Sequence, residues 1–171
     1  MTVTLNNLSH TFPDDIDMLL VGPGGQNAII LSDIGGADDI VGVTLTLDDA
    51  AANNLPDTSP PTLTSGTYRP TNIGAGDPFA APAPAPSGGS ALSVFNGTAA
   101  NGTWSLYIVD DASLDTGTLA GGWSLIITTS ACVGTSAPPS GEDILGMVNQ
   151  PSVVDSLMSF AVVKFSSGTI Y

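Results

Sequence analysis

Val43, Leu45 and Leu47 alternate with Thr44 and Thr46, a period of two that puts three aliphatic side chains on one face of a strand and two threonines on the other. The same short, interrupted patterning recurs along most of the chain. Thr2 to Ser9 reads as a strand with Val3 and Leu5 on one face, ending in the turn His10-Thr11-Phe12-Pro13-Asp14-Asp15. Ile16 to Val21 stops at Gly22-Pro23-Gly24-Gly25 and resumes as Asn27 to Leu31, which predicts a hairpin. That Gly-rich turn is not a phosphate loop, because no Lys follows it and no helical pattern begins there. Further strands are expected at Ala91 to Phe95, Trp104 to Val109 and Trp123 to Thr128. In the last two, Trp104/Leu106/Ile108 and Trp123/Leu125/Ile127 hold matching alternate positions, as two strands lining one core require. The fold class that follows is all-β, a β-sandwich of about eight strands.

Composition supports the same class. Of 16 acids, 15 are Asp and one is Glu142, beside 20 Gly and 13 Pro. Glu favours helices, whereas Asp, Gly and Pro favour turns, so a helical fold is disfavoured throughout. Against those acids stand only Arg69 and Lys164, and the net charge of −14 excludes the basic patches that bind nucleic acid or anionic membranes. Charged residues make up 11% and apolar ones 42%, enough apolar surface for a core in spite of the net charge. No apolar run approaches ~18 residues, so no transmembrane helix is expected. Met1-Thr2 leads directly into the first strand, so a secretory leader either lies upstream or is not used. The lone Cys132 rules out an internal disulfide framework.

Three segments are expected: a sandwich over 1–129, a small polar linker over 130–141 and an extension over 142–171. Within the first, Asp48 to Ser90 is a long excursion ending in the alternating Pro-Ala stretch Pro78 to Pro86. Its extended geometry predicts a surface crossover hugging the sheet, or a loop, with no core element. The extension holds a short helix pattern at Glu142 to Asn149 and a strongly apolar stretch, Val153 to Phe165. Periodicity leaves that stretch open as a strand, a helix or a docking element.

Leu5-Asn6-Asn7-Leu8-Ser9-His10-Thr11-Phe12-Pro13-Asp14-Asp15-Ile16-Asp17-Met18-Leu19-Leu20-Val21-Gly22-Pro23-Gly24-Gly25 is followed by Asn101-Gly102-Thr103-Trp104-Ser105-Leu106 with Asp110, then Asp115-Thr116-Gly117 and Gly122-Trp123-Ser124-Leu125. In this order, over roughly residues 2–129, these motifs resemble the P domain, also called Homo B, of proprotein convertases and bacterial secreted subtilisin-like proteases. The resemblance implies a jelly-roll β-sandwich without catalytic residues, a role in stabilising or regulating an attached protease or in protein contacts, and an extracellular or cell-surface location. Two departures accompany it. The one or two strands that family members carry before the position of Val3 are absent, and the 142–171 extension lies outside the pattern.

Catalysis finds little support in the residues. Asp115-Thr116-Gly117 matches a three-residue aspartic-protease motif, and Gly134 to Pro138 faintly echoes the segment around a subtilisin serine, but such matches arise by chance in a chain rich in Asp, Thr and Gly. Nucleophilic catalysis needs a base beside the serine, and the only His, His10, is expected to hydrogen-bond a turn with Thr11. The chain is therefore expected not to be an enzyme.

A metal site is the sharper expectation. Asp15 and Asp17 open one strand of the hairpin and Asp33 closes the other, so all three belong to one edge. Asp110 joins them if its strand runs the same way as 27–31, with Asp115 following. Asp15, Asp17, Asp33, Asp110 and Asp115, with no basic neighbour, would repel one another unless a hard cation sat between them, and calcium is the expected ion. The competing reading is that these acids cap turns and solubilise the rim. Asn7, Asn96 and Asn101 head formal glycosylation sequons, of which the Asn-Gly pairs read better as turns, and alternation puts Trp104 and Trp123 in the core.

Two functions are thus expected from different classes. One is a calcium-binding accessory module whose partner is an attached or associated protease domain. The other is a structural subunit whose partners are copies of itself, joined into a filament when the Val153 to Phe165 segment donates a strand to the next molecule.

Overall fold

The computed structural model describes residues 1–74, 77–87, 89–129, 160–165 and 168–170. It is an all-β sandwich of two sheets, as the alternation predicts. One sheet contains β1 (Thr2–His10), β4 (Ile40–Leu47), β5 (Gly66–Tyr68), β8 (Gly117–Leu119), β9 (Trp123–Thr128), β10 (Phe160–Phe165) and β11 (Gly168–Ile170). The other contains β2 (Ile16–Val21), β3 (Asn27–Ser32), β6 (Thr71–Asn72) and β7 (Ser105–Asp110) in the order β6-β3-β2-β7. The chain crosses between sheets after β1, β3, β5, β7, the jelly-roll manner of burying both inner faces. No helix among the described residues is long and apolar enough to cross a membrane.

The strand faces follow the sequence. Val3 and Leu5 on β1, Val43, Leu45 and Leu47 on β4, and Leu125 on β9 meet Ile16, Met18, Leu20, Ala28 and Ile30 of the opposite sheet in one core. Trp104 and Trp123 are buried there, with Leu106, Ile108 and Ile127 packed against it. β2 and β3 form the expected antiparallel hairpin, Val21 opposite Asn27, closed by Gly22 N–H donating to Gln26 O at 2.8 Å.

Register breaks in β1 shape the larger sheet. The pairing with β4 slips between Leu5 and Leu8 and again before His10, and Asn7 takes a left-handed φ of 57° beside Gly42 at 66°. Such bulges bend a strand. Bent there, β1 pairs with β9 through Thr2 to Leu5 and with β8 through Leu8 to His10, so both run along one side of it.

The excursion after β4 departs from expectation. It supplies β5 and β6, a bridge between Asn54 and Arg69, and the core residues Leu55 and Leu63. Apolar residues isolated among Pro, Asp and Ser carry no periodicity, so only the tertiary path reveals that they point inward. The Pro-Ala stretch does hug the sheet: Asn27 of β3 donates to Ala85 O at 3.3 Å and accepts from Ser87 N–H at 2.7 Å. The strand expected at Ala91 to Phe95 is instead a 3₁₀ turn, Leu92–Phe95. The two carboxylate oxygens of Asp49 accept the Leu92 and Ser93 amides, each at 2.8 Å, and so satisfy the free donors at the start of a helical turn. The linker at 130–141, the helix pattern at Glu142 to Asn149 and residues 153–159 lie outside the described residues. Phe160 to Phe165 is a strand, antiparallel to β9.

Candidate metal centre

The centre is assembled at the rim of the four-stranded sheet, where β2 starts and β3 ends. Pro13–Asp15 forms a 3₁₀ turn that delivers the chain into β2. Ile16, Met18 and Leu20 face the core, so alternation sends Asp17 to the opposite face. It is nonetheless only 2% exposed. Asp33 follows β3 directly, with a left-handed φ of 50° that Asp tolerates better than most residues. Gly74 approaches so closely that a Cβ there would lie 3.2 Å from Asp33 Oδ2, and its φ of 72° suits glycine. This close passage brings the excursion to the rim, and Asp77 with it.

Carboxylate oxygens of Asp17, Asp33 and Asp77 all lie within 4.8 Å of one another. Asp33 Oδ2 accepts the Ser32 hydroxyl at 3.2 Å, whereas Asp17 Oδ1 is buried without a hydrogen-bond partner. A buried carboxylate oxygen without a hydrogen-bond partner is costly when the group is ionised, and a cation held between the three acids removes that cost. Oxygens bound to one hard cation stand at most about 4.6–5.2 Å apart, so separations of no more than 4.8 Å are compatible with a shared ion. The group can hold a metal ion.

Electrostatics agree with the geometry. Burial pushes the Asp17 carboxyl up to about 7, the charges of Asp77, Asp33 and Asp111 add to the shift, and the Ser32 hydroxyl opposes it. Asp33 is raised for the same reasons, burial first, then Asp77, Asp111 and Asp14, again opposed by Ser32. Burial is also the main cause lifting Asp14, with Asp57 next, and Asp15, with Asp110 next.

Of the five acids expected at a metal, the structure brings Asp17 and Asp33 together and adds Asp77. Asp15, Asp110 and Asp115 stand outside this group of three. β7 does run in the same direction as β3, and Asp110 lies opposite Ile16 at the same edge. Its Oδ2, however, is 3.1 Å from His10 Nε2, in a pair whose side chains are both fully buried. Asp115 accepts the Thr11 hydroxyl at 2.8 Å. His10 is structural, as expected: its Nδ1 sits 2.8 Å from Phe12 O in the turn, while the Thr11 hydroxyl accepts from Thr116 N–H at 3.1 Å. Asp77 was missed because it belongs to the excursion, which carries no strand pattern. One signal was present: it is the only acid between Asp57 and Asp110, in the turn-favouring sequence Gly76-Asp77-Pro78.

Compared with known proteins, the chain matches no family model, no curated protein and no solved structure.

Proposed function

We propose that this chain is a non-catalytic, calcium-stabilised β-sandwich module, extracellular or on a cell surface, that makes protein contacts as the accessory part of a subtilisin-like protease or a surface protein. The observation that carries the reading is the buried Asp17 carboxylate, one oxygen of which has no hydrogen-bond partner, grouped with the carboxylates of Asp33 and Asp77. Calcium is favoured because the three donors are carboxylates, with no His or Cys among them to favour zinc. Magnesium is more often held by one or two carboxylates together with water or phosphate. The ordered motif resemblance supports the accessory role. The position of His10 supports the non-catalytic one: the chain's single imidazole is fully buried and engaged at both nitrogens, out of reach of any substrate.

Thermal unfolding in chelator, calcium or magnesium tests the metal. Calcium at about 100 times its Kd stabilises the fold by ~2.7 kcal/mol, a rise in Tm of about 5–10 °C. An unchanged Tm at millimolar calcium refutes the metal reading. Incubation with casein tests the other half, and cleavage lost in Asp115→Asn would make the chain an enzyme.

A further inference from the structure

Residues 160–170 do not merely touch the sandwich. β10 pairs with β9 at six successive positions, from Phe160 opposite Thr128 to Phe165 opposite Trp123. β11 continues along β8, from Gly168 opposite Leu119 to Ile170 opposite Gly117. Together they cover the side of β8 and β9 that faces away from β1, along nearly its whole length. Without them, that side is a row of unpaired backbone groups beside the core residues Leu119, Trp123 and Leu125, the open edge that invites a strand from another chain.

The connection to this strand is out of proportion to the gap it crosses. Thr128 and Phe160 are register partners, so the ends of β9 and β10 lie side by side. An antiparallel pair in that position is closed by a loop of about 2–5 residues. Here 31 residues, 129–159, intervene. Fully extended, such a stretch spans about 100 Å, whereas a domain of this size is roughly 35 Å across.

We propose that the 160–170 strand is exchangeable between molecules, and that the β8–β9 edge of one copy takes the 160–170 strand of a second copy in the same register. Every backbone pair made within one chain is made equally between two, so exchange loses no contact. The balance is then set by protein concentration against the effective concentration of the tethered strand, which falls as the tether lengthens. Reciprocal exchange closes a dimer, and one-way donation builds an open chain of copies. Phe160-Ala161-Val162-Val163-Lys164-Phe165 has the composition of such a strand: β-branched and aromatic, free of proline, with a single charge.

The register supplies the test. Ser124 and Lys164 are partners across β9 and β10. The full chain carrying Ser124→Cys and Lys164→Cys, with Cys132→Ser to remove the native thiol, is oxidised at protein concentrations from tens of micromolar to about 1 mM. Covalent dimers and larger species whose share rises with concentration are expected on a denaturing gel. A second measurement mixes a chain bearing only Ser124→Cys with one bearing only Lys164→Cys, both Cys132→Ser. The mixed disulfide should form several-fold more readily than with an out-of-register partner, Thr169→Cys, whose own register partner is Thr118. If the double variant gives only internally linked monomer at every concentration, or the mixed chains link no better than the mismatched pair, exchange is overturned. Light scattering on the unmodified chain guards against an effect of the substitutions, and a strictly monomeric mass at about 1 mM also overturns it.

Discussion

His10 Nε2 and Asp110 Oδ2 stand 3.1 Å apart across the sandwich, joining the last residue of β1 in one sheet to the last residue of β7 in the other. A carboxylate only accepts, so Nε2 carries the proton of this bond. Nδ1 donates to Phe12 O when protonated and accepts from Phe12 N–H, at 3.2 Å, when it is not. Asp110 Oδ1 has no partner of its own, so among the described residues the imidazole is the hydrogen-bond donor to this buried side chain. His10→Ala leaves a buried carboxylate uncompensated and is expected to cost about 3–5 kcal/mol. His10→Ala together with Asp110→Ala should cost clearly less than the sum of the single changes. Urea unfolding of the four proteins measures the cycle, and strict additivity would show that the pair does not interact.

Gly117 gives the same pair a second handle. A Cβ at this position would fall 2.1 Å from His10 Cδ2 and 2.5 Å from Ser9 O, too close for ring or backbone to remain in place. Gly117→Ala, ordinarily a mild change, is therefore expected to destabilise by about 1–3 kcal/mol through overpacking. In the His10→Ala background, part of that cost should vanish because the ring has gone. Equal costs in both backgrounds would locate the clash at the Ser9 backbone alone.

Asp17→Asn should act in opposite directions with and without metal. In chelator at pH 8 it removes a buried charge and is expected to raise Tm; in calcium it is expected to abolish most of the calcium-dependent gain. Asp77→Asn, at a more exposed position, should weaken calcium binding with little change in the chelated protein. Calorimetric titration and thermal melts of the three proteins check this. A calcium response that survives both substitutions removes the ion from this site.

The Asp17 carboxyl, held at about 7 in the folded protein against 3.8 ordinarily, sets a pH dependence of known sign. The metal-free fold binds this proton more tightly than the unfolded chain does. Its contribution is fully present below the unfolded value and is lost as pH rises through about 7. A cation requires the ionised form, so calcium affinity should fall as pH drops from 8 to 6. Melts in chelator across this range should show Tm falling with rising pH, while calcium titrations show affinity rising. The same sign in both series would contradict the assignment.

Gly22 packs against a T-shaped aromatic pair of the core, Phe95 and Trp104, whose ring centroids are 5.0 Å apart. A Cβ there would sit 3.0 Å from the Phe95 ring and 3.2 Å from that of Trp104. Gly22→Val is expected to displace both rings, at a cost of about 1–3 kcal/mol. A shift in Trp fluorescence together with an earlier urea midpoint checks it.

How much of this was legible beforehand follows from the range over which each feature is determined. The alternation Val43, Leu45, Leu47 and the break at Gly22 to Gly25 are local properties of the chain, so β1, β2, β3, β4, β7 and β9, their core faces and the β2–β3 hairpin were readable from composition and period, whereas the short β5, β6 and β8 were not. Asp17 and Asp33 were readable as neighbours for the same reason, since a hairpin joins its own ends. The 3₁₀ turn at Leu92–Phe95 was not, because the carboxylate that caps it belongs to Asp49, more than forty residues earlier. Asp77 reaches the rim only because the excursion passes at Gly74, His10 meets Asp110 only when the sheets close on one another, and Phe160–Phe165 becomes a strand by lying along β9. Short-range periodicity belongs to each segment alone. The convergence of three carboxylates, or of an imidazole with an acid a hundred residues away, depends on strand register and loop path, which only the packed sandwich decides.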